Sequence, residues 1–526
     1  MEFIQFVRDH ARRMFAWSIA TLLTLFPAVF FPHSVDLSVF LRVAHSLQSG
    51  GILYHDAVDI KPPLLYDIIR GIFAFSGDSE TAYHAADTLL LFVALLVSCY
   101  LLFKITNNPT VSIMSTWIMA FSFVSVGATF VSQAEVFALL PVLLIIERQL
   151  RDQDHNSLKN GLFIGVLTAI LVGLKLTLAS TLVVIAICDL NERGTRREFP
   201  LTKWMGIAVG VLAASVVIWR TLMDARSLEG FRNLLQFMQG YASSPALDGA
   251  FVASMWKSVV ILFFDRYSIA FALLAGTGFS LLLYGNNHER RVLRILTLTT
   301  CVFVITVILE RKFFPYHFLR VVIPLAVFSA YGVDTVRRTV REVWTRKQER
   351  VLIVAVLGIL VVWSPIARFI TFIKPTYTKL AHPEKFDSLY QRKEVLGLYR
   401  AEEQTVCDSI LRNRKVGDHT LFASINSPRM ALVTNDGDWS FAAASQFALS
   451  DFAPTVWKLR YADEMRRARW LVVGTNDSNQ YFNSPTTTSL RIMEEREPFR
   501  SVFIKEYRRC WATDHFMVFE RSTAPN

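Results

Sequence analysis

A chain of 526 residues that is 52% hydrophobic and 13% aromatic, with only 19% charged residues, is too apolar for a water-soluble protein of this length. Its net charge of +11 needs no nucleic-acid partner, because the basic residues follow a pattern that membrane topology explains. Five cysteines without a CxxC, an HExxH or a Cys/His cluster carry no zinc or redox signature.

Long apolar runs recur from Met14 to Ile370, most of them sufficient to cross roughly 30 Å of hydrocarbon as a helix of about 20 residues. Their spacing predicts about eleven spanning helices, roughly at 14–32, 84–105, 111–129, 131–149, 158–174, 175–190, 204–223, 258–284, 292–309, 314–333 and 351–371. The first run has no small-residue cleavage site and is read as a retained helix. With the N-terminus inside, the inner loops hold Arg8, Arg12 and Arg13, then Lys104, then Arg148, Arg151 and Lys159. Arg193, Arg196, Arg197 and Lys203 follow, then Arg290, Arg291 and Arg294, and finally the six cations between Arg337 and Arg350. Every second loop is basic, as the cytoplasmic side requires, and an odd span count then leaves the C-terminus outside. The expected division is a membrane domain, 1–375, and a soluble extracytoplasmic α/β domain, 376–526.

The first outer loop, His33 to Tyr83, opens with Asp36, and Leu37, Phe40, Leu41 and Ala44 follow at helical spacing. This predicts an interfacial helix with Asp36 at its N-terminus. Two readings of Asp36 are open, a helix cap and a functional carboxylate. Further on, Gly50, Gly51 and the Pro62-Pro63 pair predict turns and an extended segment that hold Tyr54, Asp56, Asp59 and Lys61 near the headgroups. Glu135 falls at the outer entry of the fourth span, where an ionisable group is costly unless it faces a partner or a wet cavity. Lys175 interrupts an otherwise apolar stretch and would snorkel if it marks the turn between two spans. Asp265 and Arg266 break the eighth run. The outer turn from Glu310 to Arg320 gathers Arg311, Lys312, Tyr316 and His317 beside Pro315. Cations there run against the topology bias, and anion binding is the simplest physical reason. Carboxylates and cations from distant parts of the chain thus share the outer leaflet, as an active site with a general base and a phosphate clamp would.

These residues resemble a family. An Asp just past the first span, Gly-x-x-Tyr, a Lys-Pro-Pro-Leu segment, the Glu of the fourth span, the lone Lys and the Phe-Phe-Pro-Tyr-His turn are similar to the GT-C glycosyltransferases. Protein mannosyltransferases, lipid A aminoarabinose transferases and core galacturonosyltransferases are the branches it looks like. The resemblance implies a polytopic helical membrane enzyme of the bacterial inner membrane whose site faces the periplasm or cell exterior. There a sugar passes with inversion from a polyprenyl-phosphate carrier to a glycan, glycolipid or protein acceptor. It implies Asp36 as the base, Glu135 as a second acidic group and Lys61 as a ligand of the carrier phosphate. Lys175, Lys312 and His317 look like further phosphate or site-lining groups, and Tyr54, Asp59, Arg266, Arg311 and Tyr316 complete the substrate-binding set. No cofactor is required, and a divalent cation held by Asp36 and Glu135 stays open. There is no Trp-Trp-Asp motif, so a metal-dependent oligosaccharyltransferase is not expected.

The tail predicts a helix near 385–412, strands around 421–423, 469–474 and 516–519, and a helix over 462–469. Trp439, Tyr461, Trp470 and Tyr481 fit core packing better than sugar stacking. Cys407 and Cys510 would lie in an oxidising compartment, where a disulfide and two separate thiols are equally open. The competing functional class is a transporter or flippase of a lipid-linked sugar or other anion. It would put its charges near the midplane on inverted repeats, and no repeat is visible here.

Overall fold

The structure is a computed structural model that describes residues 2–151, 156–196, 199–242, 269–311, 314–343, 364–390, 399–425, 427–434, 445–479, 482–484 and 486–522, with isolated residues 253, 255, 256, 348, 358, 359 and 362. The chain divides into two compact units. The first is Met1–Phe31, His84–Trp219 and Val252–Thr376; the second is Pro32–Tyr83, Arg220–Phe251 and Tyr377–Asn526.

The first unit is helical, and its helices overlie the predicted spans. They include Ala11–Leu25 with a 3-10 continuation Phe26–Phe30, Pro109–Ser125, Leu139–Arg151, Leu158–Leu174, Thr181–Arg196 and Ile269–Phe279. Glu80–Thr106, Leu201–Leu222 and Asn287–Glu310 are longer. Among the described residues, five helices are long and apolar enough to cross a membrane by themselves. The protein is therefore a polytopic α-helical membrane protein. The first part of the eighth predicted span, with Asp265 and Arg266, and about half of the eleventh lie outside the described residues.

Two helices of this unit meet through glycine. A Cβ on Gly161 would lie 2.1 Å from the Lys203 carbonyl oxygen, one on Gly165 2.4 Å from that of Ile207, and one on Gly210 2.5 Å from that of Leu162. Small residues four apart let backbones touch where lipid offers no hydrophobic drive. Gly161→Ala is expected to destabilise the protein in detergent by about 1–3 kcal/mol, although alanine is the better helix former. Gly276, whose added Cβ meets nothing within 4 Å, is the control, and Gly276→Ala should leave the unfolding midpoint level or raise it. Equal responses at the two positions would refute the close-packing account.

The charged ends of these helices sort themselves. Lys104 pairs with Glu147 at 3.4 Å, and the fully buried Lys203 reaches Asp189 at 3.0 Å and Gln149 at 2.8 Å. These contacts tie together the ends that carry the basic loops. Glu135, Lys175, Glu310 and Arg320 lie toward the opposite ends of their helices or at the turns there.

The second unit is built on a four-stranded sheet: β1 (Thr420–Ala423), β2 (Trp470–Gly474), β3 (Tyr507–Ala512) and β4 (Phe516–Arg521), in the order β1-β2-β4-β3. β1 and β2 are parallel, joined through the helix Thr455–Arg467, while β4 runs antiparallel to β2 and β3. Of the predicted helix over 385–412, the described residues form a turn of helix at Pro383–Phe386, a 3-10 turn Asp387–Tyr390 and a full helix Arg400–Asn413, while 391–398 lie outside the described residues. The helix expected at 462–469 starts earlier, at Thr455.

The core of the sheet contains Val406, Cys407, Phe422, Val472 and Val518, with Trp470 at its edge. Tyr461 is fully buried and donates to the Phe422 carbonyl at 3.3 Å, so it and Trp470 are core residues. Trp439 and Tyr481 lie outside the described residues. Cys407 and Cys510 are separate thiols with no disulfide between them, one in the core and the other exposed.

The helix Ala225–Ala242 also belongs to this unit. Its Phe237 ring packs on Phe447, Phe452 and Trp457, with centroids 5.3, 4.9 and 5.4 Å away, and its Phe231 packs on Tyr54. The segment 33–83 is locked onto the tail by Arg400. Its guanidinium holds both oxygens of Glu80 at 2.9 Å and Asp387 at 2.9 Å. A two-pronged carboxylate grip of this kind fixes orientation as well as charge.

Candidate active site

In the first unit, residues far apart in sequence close into one buried ion network. Helix Leu158–Leu174 ends because Lys175 turns to extended backbone, which aims its side chain back into the bundle. Its Nζ lies 2.6 Å from Glu135 Oε1 and 2.9 Å from Glu310 Oε2. Arg320, in the first turn of Leu319–Val343, lies 2.8 Å from Glu135 and 2.7 Å from Glu310. Thr177 donates to Glu310 and accepts from Arg320 at 3.0 Å. Glu135 is 1% exposed and Arg320 fully buried, so each charge depends on its partners.

His317 Nδ1 stands 3.4 Å from Glu310, and Tyr316 sits edge-on to its ring. Arg311 is exposed and ends helix Asn287–Glu310 in left-handed backbone, φ +53°. Lys312 and Arg266 lie outside the described residues. Glu310 and Arg320 are central to the network; in sequence they bound the turn whose cations run against the topology bias, where the site roles fall on Arg311, Lys312, Tyr316 and His317 instead. Gln133 is a further site residue that sequence reasoning does not single out. It is completely buried two residues before Glu135, and neither of its side-chain polar atoms has a partner among the described residues. An unsatisfied buried amide asks for a ligand or a water.

Glu135, Glu310 and His317 each offer a ligand atom within 4.8 Å of one another, the arrangement a cation would need. The two carboxylates are already matched by two cations, Lys175 and Arg320. A dication would have to displace at least one of them, so these donors as arranged do not fit a metal.

In the second unit, helix Val35–Gln48 carries Asp36. Ser34 caps it, its Oγ accepting from the Leu37 amide at 3.2 Å, so Asp36 is not the cap. The Asp36 carboxylate is half-buried and accepts no hydrogen bond among the described residues. The helix is buried on nearly every side, Ser38 and Arg42 included, where the sequence pattern predicts a surface-lying one.

One turn on from Asp36, Phe40 lies under the Lys61 ammonium, 5.7 Å from ring centroid to Nζ. Positions four apart share a helix face, so Asp36 and Lys61 serve one neighbourhood. Tyr54 and Asp59 hold the backbone that presents Lys61. Tyr54 donates to the Lys61 carbonyl at 2.7 Å, and the Tyr66 hydroxyl accepts from the Lys61 amide at 3.3 Å while donating to Asp59 at 2.5 Å. Burial pushes the Asp59 carboxyl above the usual carboxylate range, with the Asp36 charge adding to the rise, while Lys61 and the Tyr66 bond oppose it.

No family model matches the chain, and no curated protein matches it in sequence. Solved structures do match in fold. ArnT from Cupriavidus metallidurans bound to undecaprenyl phosphate superposes with a TM-score of 0.61 at 11% identity, over 98% of this chain and 99% of that one. The same protein in the apo state gives 0.58 at 11% identity, over 97% and 98%. An Archaeoglobus fulgidus oligosaccharyltransferase tethered to an acceptor peptide gives 0.47 at 11% identity, over 99% of this chain and 75% of that one. The chain has the GT-C fold, over nearly its whole length, as the sequence resemblance led us to expect.

Proposed function

We propose that this GT-C-fold protein is an inverting glycosyltransferase of the bacterial inner membrane. It would move a sugar from a polyprenyl-phosphate carrier to a glycan, glycolipid or protein acceptor on the outer side. The observation that carries the reading is the half-buried Asp36 carboxylate, which holds no hydrogen bond among the described residues and shares a helix face with the seat of Lys61. Asp36 takes the proton of the acceptor hydroxyl as its oxygen bonds to the anomeric carbon. The bond from that carbon to the carrier phosphate breaks, and the departing phosphate keeps the electron pair. Lys61 meets its growing charge. Undecaprenyl phosphate on the ArnT neighbour supports the carrier class. The basic loops at one end of the bundle support an outward-facing site.

Glu135, Lys175 and His317 are assigned to the lining of the membrane domain's own polar cluster, with residues 1–375 as the catalytic domain and 376–526 as an extracytoplasmic one. The reaction needs no metal in this scheme, because the cluster's carboxylates already carry their counter-charges.

The test is purified protein in lipid with a labelled polyprenyl-phosphate sugar and envelope extracts as acceptors, with and without a chelator. A new glycosidic bond, unaffected by the chelator, is expected, together with loss of one envelope glycan by mass spectrometry when the protein is absent. Movement of the donor across the bilayer without any bond formed would replace this reading with a transporter.

A further inference from the structure

We propose that a second site, in the unit that holds the outer loop and the tail, binds an anionic saccharide. A cavity of about 500 Å³ opens there between the C-terminal end of helix Val35–Gln48 with its Gly50-Gly51 turn and the β1 and Thr455–Arg467 elements of the tail. Its size is far beyond what one inorganic anion fills and lies in the range of sites for ligands of sugar size and above, roughly 300–1,000 Å³.

The charge balance selects an anion. Arg42 and Arg467 in the lining, with Arg460 beside Asp56, set three guanidiniums against two acids, Asp56 and Glu464, an excess of one positive charge to which His45 and His419 add ring nitrogens. Asp56 is already met by His55 at 2.7 Å and by Arg460 at 3.5 Å, and Glu464 by Arg467 at 3.7 Å. Arg42 is 3% exposed, and its Nη1 donates to the Ala431 carbonyl at 3.1 Å, which fixes the guanidinium at the wall. Guanidinium and imidazole N–H groups recognise phosphate or carboxylate oxygens.

The remaining wall is the hydroxyls of Ser46, Ser49 and Thr420 and the Gly50-Gly51 backbone, with Leu421 and Ala468 as small aliphatic contacts and no aromatic carbocycle among the described lining residues. That lining hydrogen-bonds a polyol and offers no apolar ring to stack on. The ligand class is therefore a phosphorylated or carboxylated sugar. Calling it the headgroup of the transfer acceptor rests on the transferase reading, whereas its binding does not.

The experiment is equilibrium dialysis of the full-length protein in detergent, without donor, against labelled N-acetylglucosamine 6-phosphate, N-acetylglucosamine and inorganic phosphate. The phosphorylated sugar is expected to bind at least about tenfold more tightly than either of the others. Arg467→Ala, at a side chain 71% exposed and so safe for folding, should weaken it about fivefold or more, and Arg42→Gln by more still. Equal binding of the neutral sugar, phosphate binding as tightly as the sugar phosphate, or unchanged affinity in Arg467→Ala would overturn the proposal. Wild-type binding without any transfer from a polyprenyl-phosphate donor would remove only the transferase reading. Normal transfer beside absent binding would remove only this one.

Discussion

Replacing Asp36 with Asn is expected to cut transfer from a polyprenyl-phosphate sugar by roughly 100- to 10,000-fold while leaving the protein folded, the loss typical of a missing general base. The amide keeps the shape of the side chain and loses its power to accept a proton. Stability should hold because the helix start does not depend on Asp36. Ser34 supplies the capping oxygen to Leu37, and the Asp36 carboxylate accepts no hydrogen bond among the described residues. All that is lost is the favourable placement of a negative charge near a helix N-terminus, about 0.3–1 kcal/mol. Removing one charge beside Asp59 works in the opposite direction, since Asp36 raises that buried carboxyl.

Ser34→Ala reverses the pattern. It should cost about 1 kcal/mol of stability and leave the chemistry standing. Initial rates with a labelled donor, read beside unfolding midpoints of the same preparations, separate the two effects. An Asp36→Asn protein that retains more than about a tenth of the wild-type rate sinks the assignment, because a general base contributes at least about a hundredfold.

Much of this arrangement is readable in the sequence wherever a residue contradicts its surroundings. Glu135 and Lys175 stand out because a charge inside an apolar run must have a reason, and the structure supplies it in each other. The membrane helices are legible for a related cause, since crossing hydrocarbon demands length and apolarity that soluble helices do not need. Glu310 and Arg320 bound a turn whose cations already run against the topology bias, yet nothing local separates them from Arg311 and Lys312 beside them. Only the fold reveals that these two face inward. Gln133 is hidden by its neutrality.

Asp36 is ambiguous in sequence between cap and function because Asp is a good cap. Ser34, two residues earlier, has a hydroxyl equally suited to capping, and backbone geometry decides between them. In the tail, β3 escapes a pattern reading because it runs Tyr-Arg-Arg-Cys-Trp-Ala with its middle exposed, the charge-laden composition of an edge strand. The helix Ala225–Ala242 escapes it for want of a spanning run, since its aromatic face packs within the second unit. The Glu80–Arg400 grip joins residues 320 positions apart, which no local pattern can announce.

The buried network of the first unit allows a sharper test, because its structural and chemical roles respond differently to the same pair of changes. Lys175→Met should destabilise the protein by about 3–5 kcal/mol, as removing one partner of a buried ion pair does. It leaves Glu135 and Glu310 with Arg320 alone, one negative charge in excess. Adding Glu310→Gln restores the balance, with Arg320 still on Glu135 at 2.8 Å, so the double variant should recover most of the loss. The non-additivity is itself the signature of a shared network and should exceed about 1 kcal/mol.

Activity then decides what the network is for. If Lys175 meets the carrier phosphate during transfer, the stable double variant stays slow by about a hundredfold or more, the scale of one lost charge-stabilising contact. If it only neutralises two glutamates, the double variant transfers at the wild-type rate and the phosphate role of Lys175 is withdrawn. A Lys175→Met protein as stable as the parent would mean that Glu135 and Glu310 are not held as charged partners at all. Unfolding in detergent and initial transfer rates on the same four proteins (parent, two single variants and the double) distinguish these outcomes.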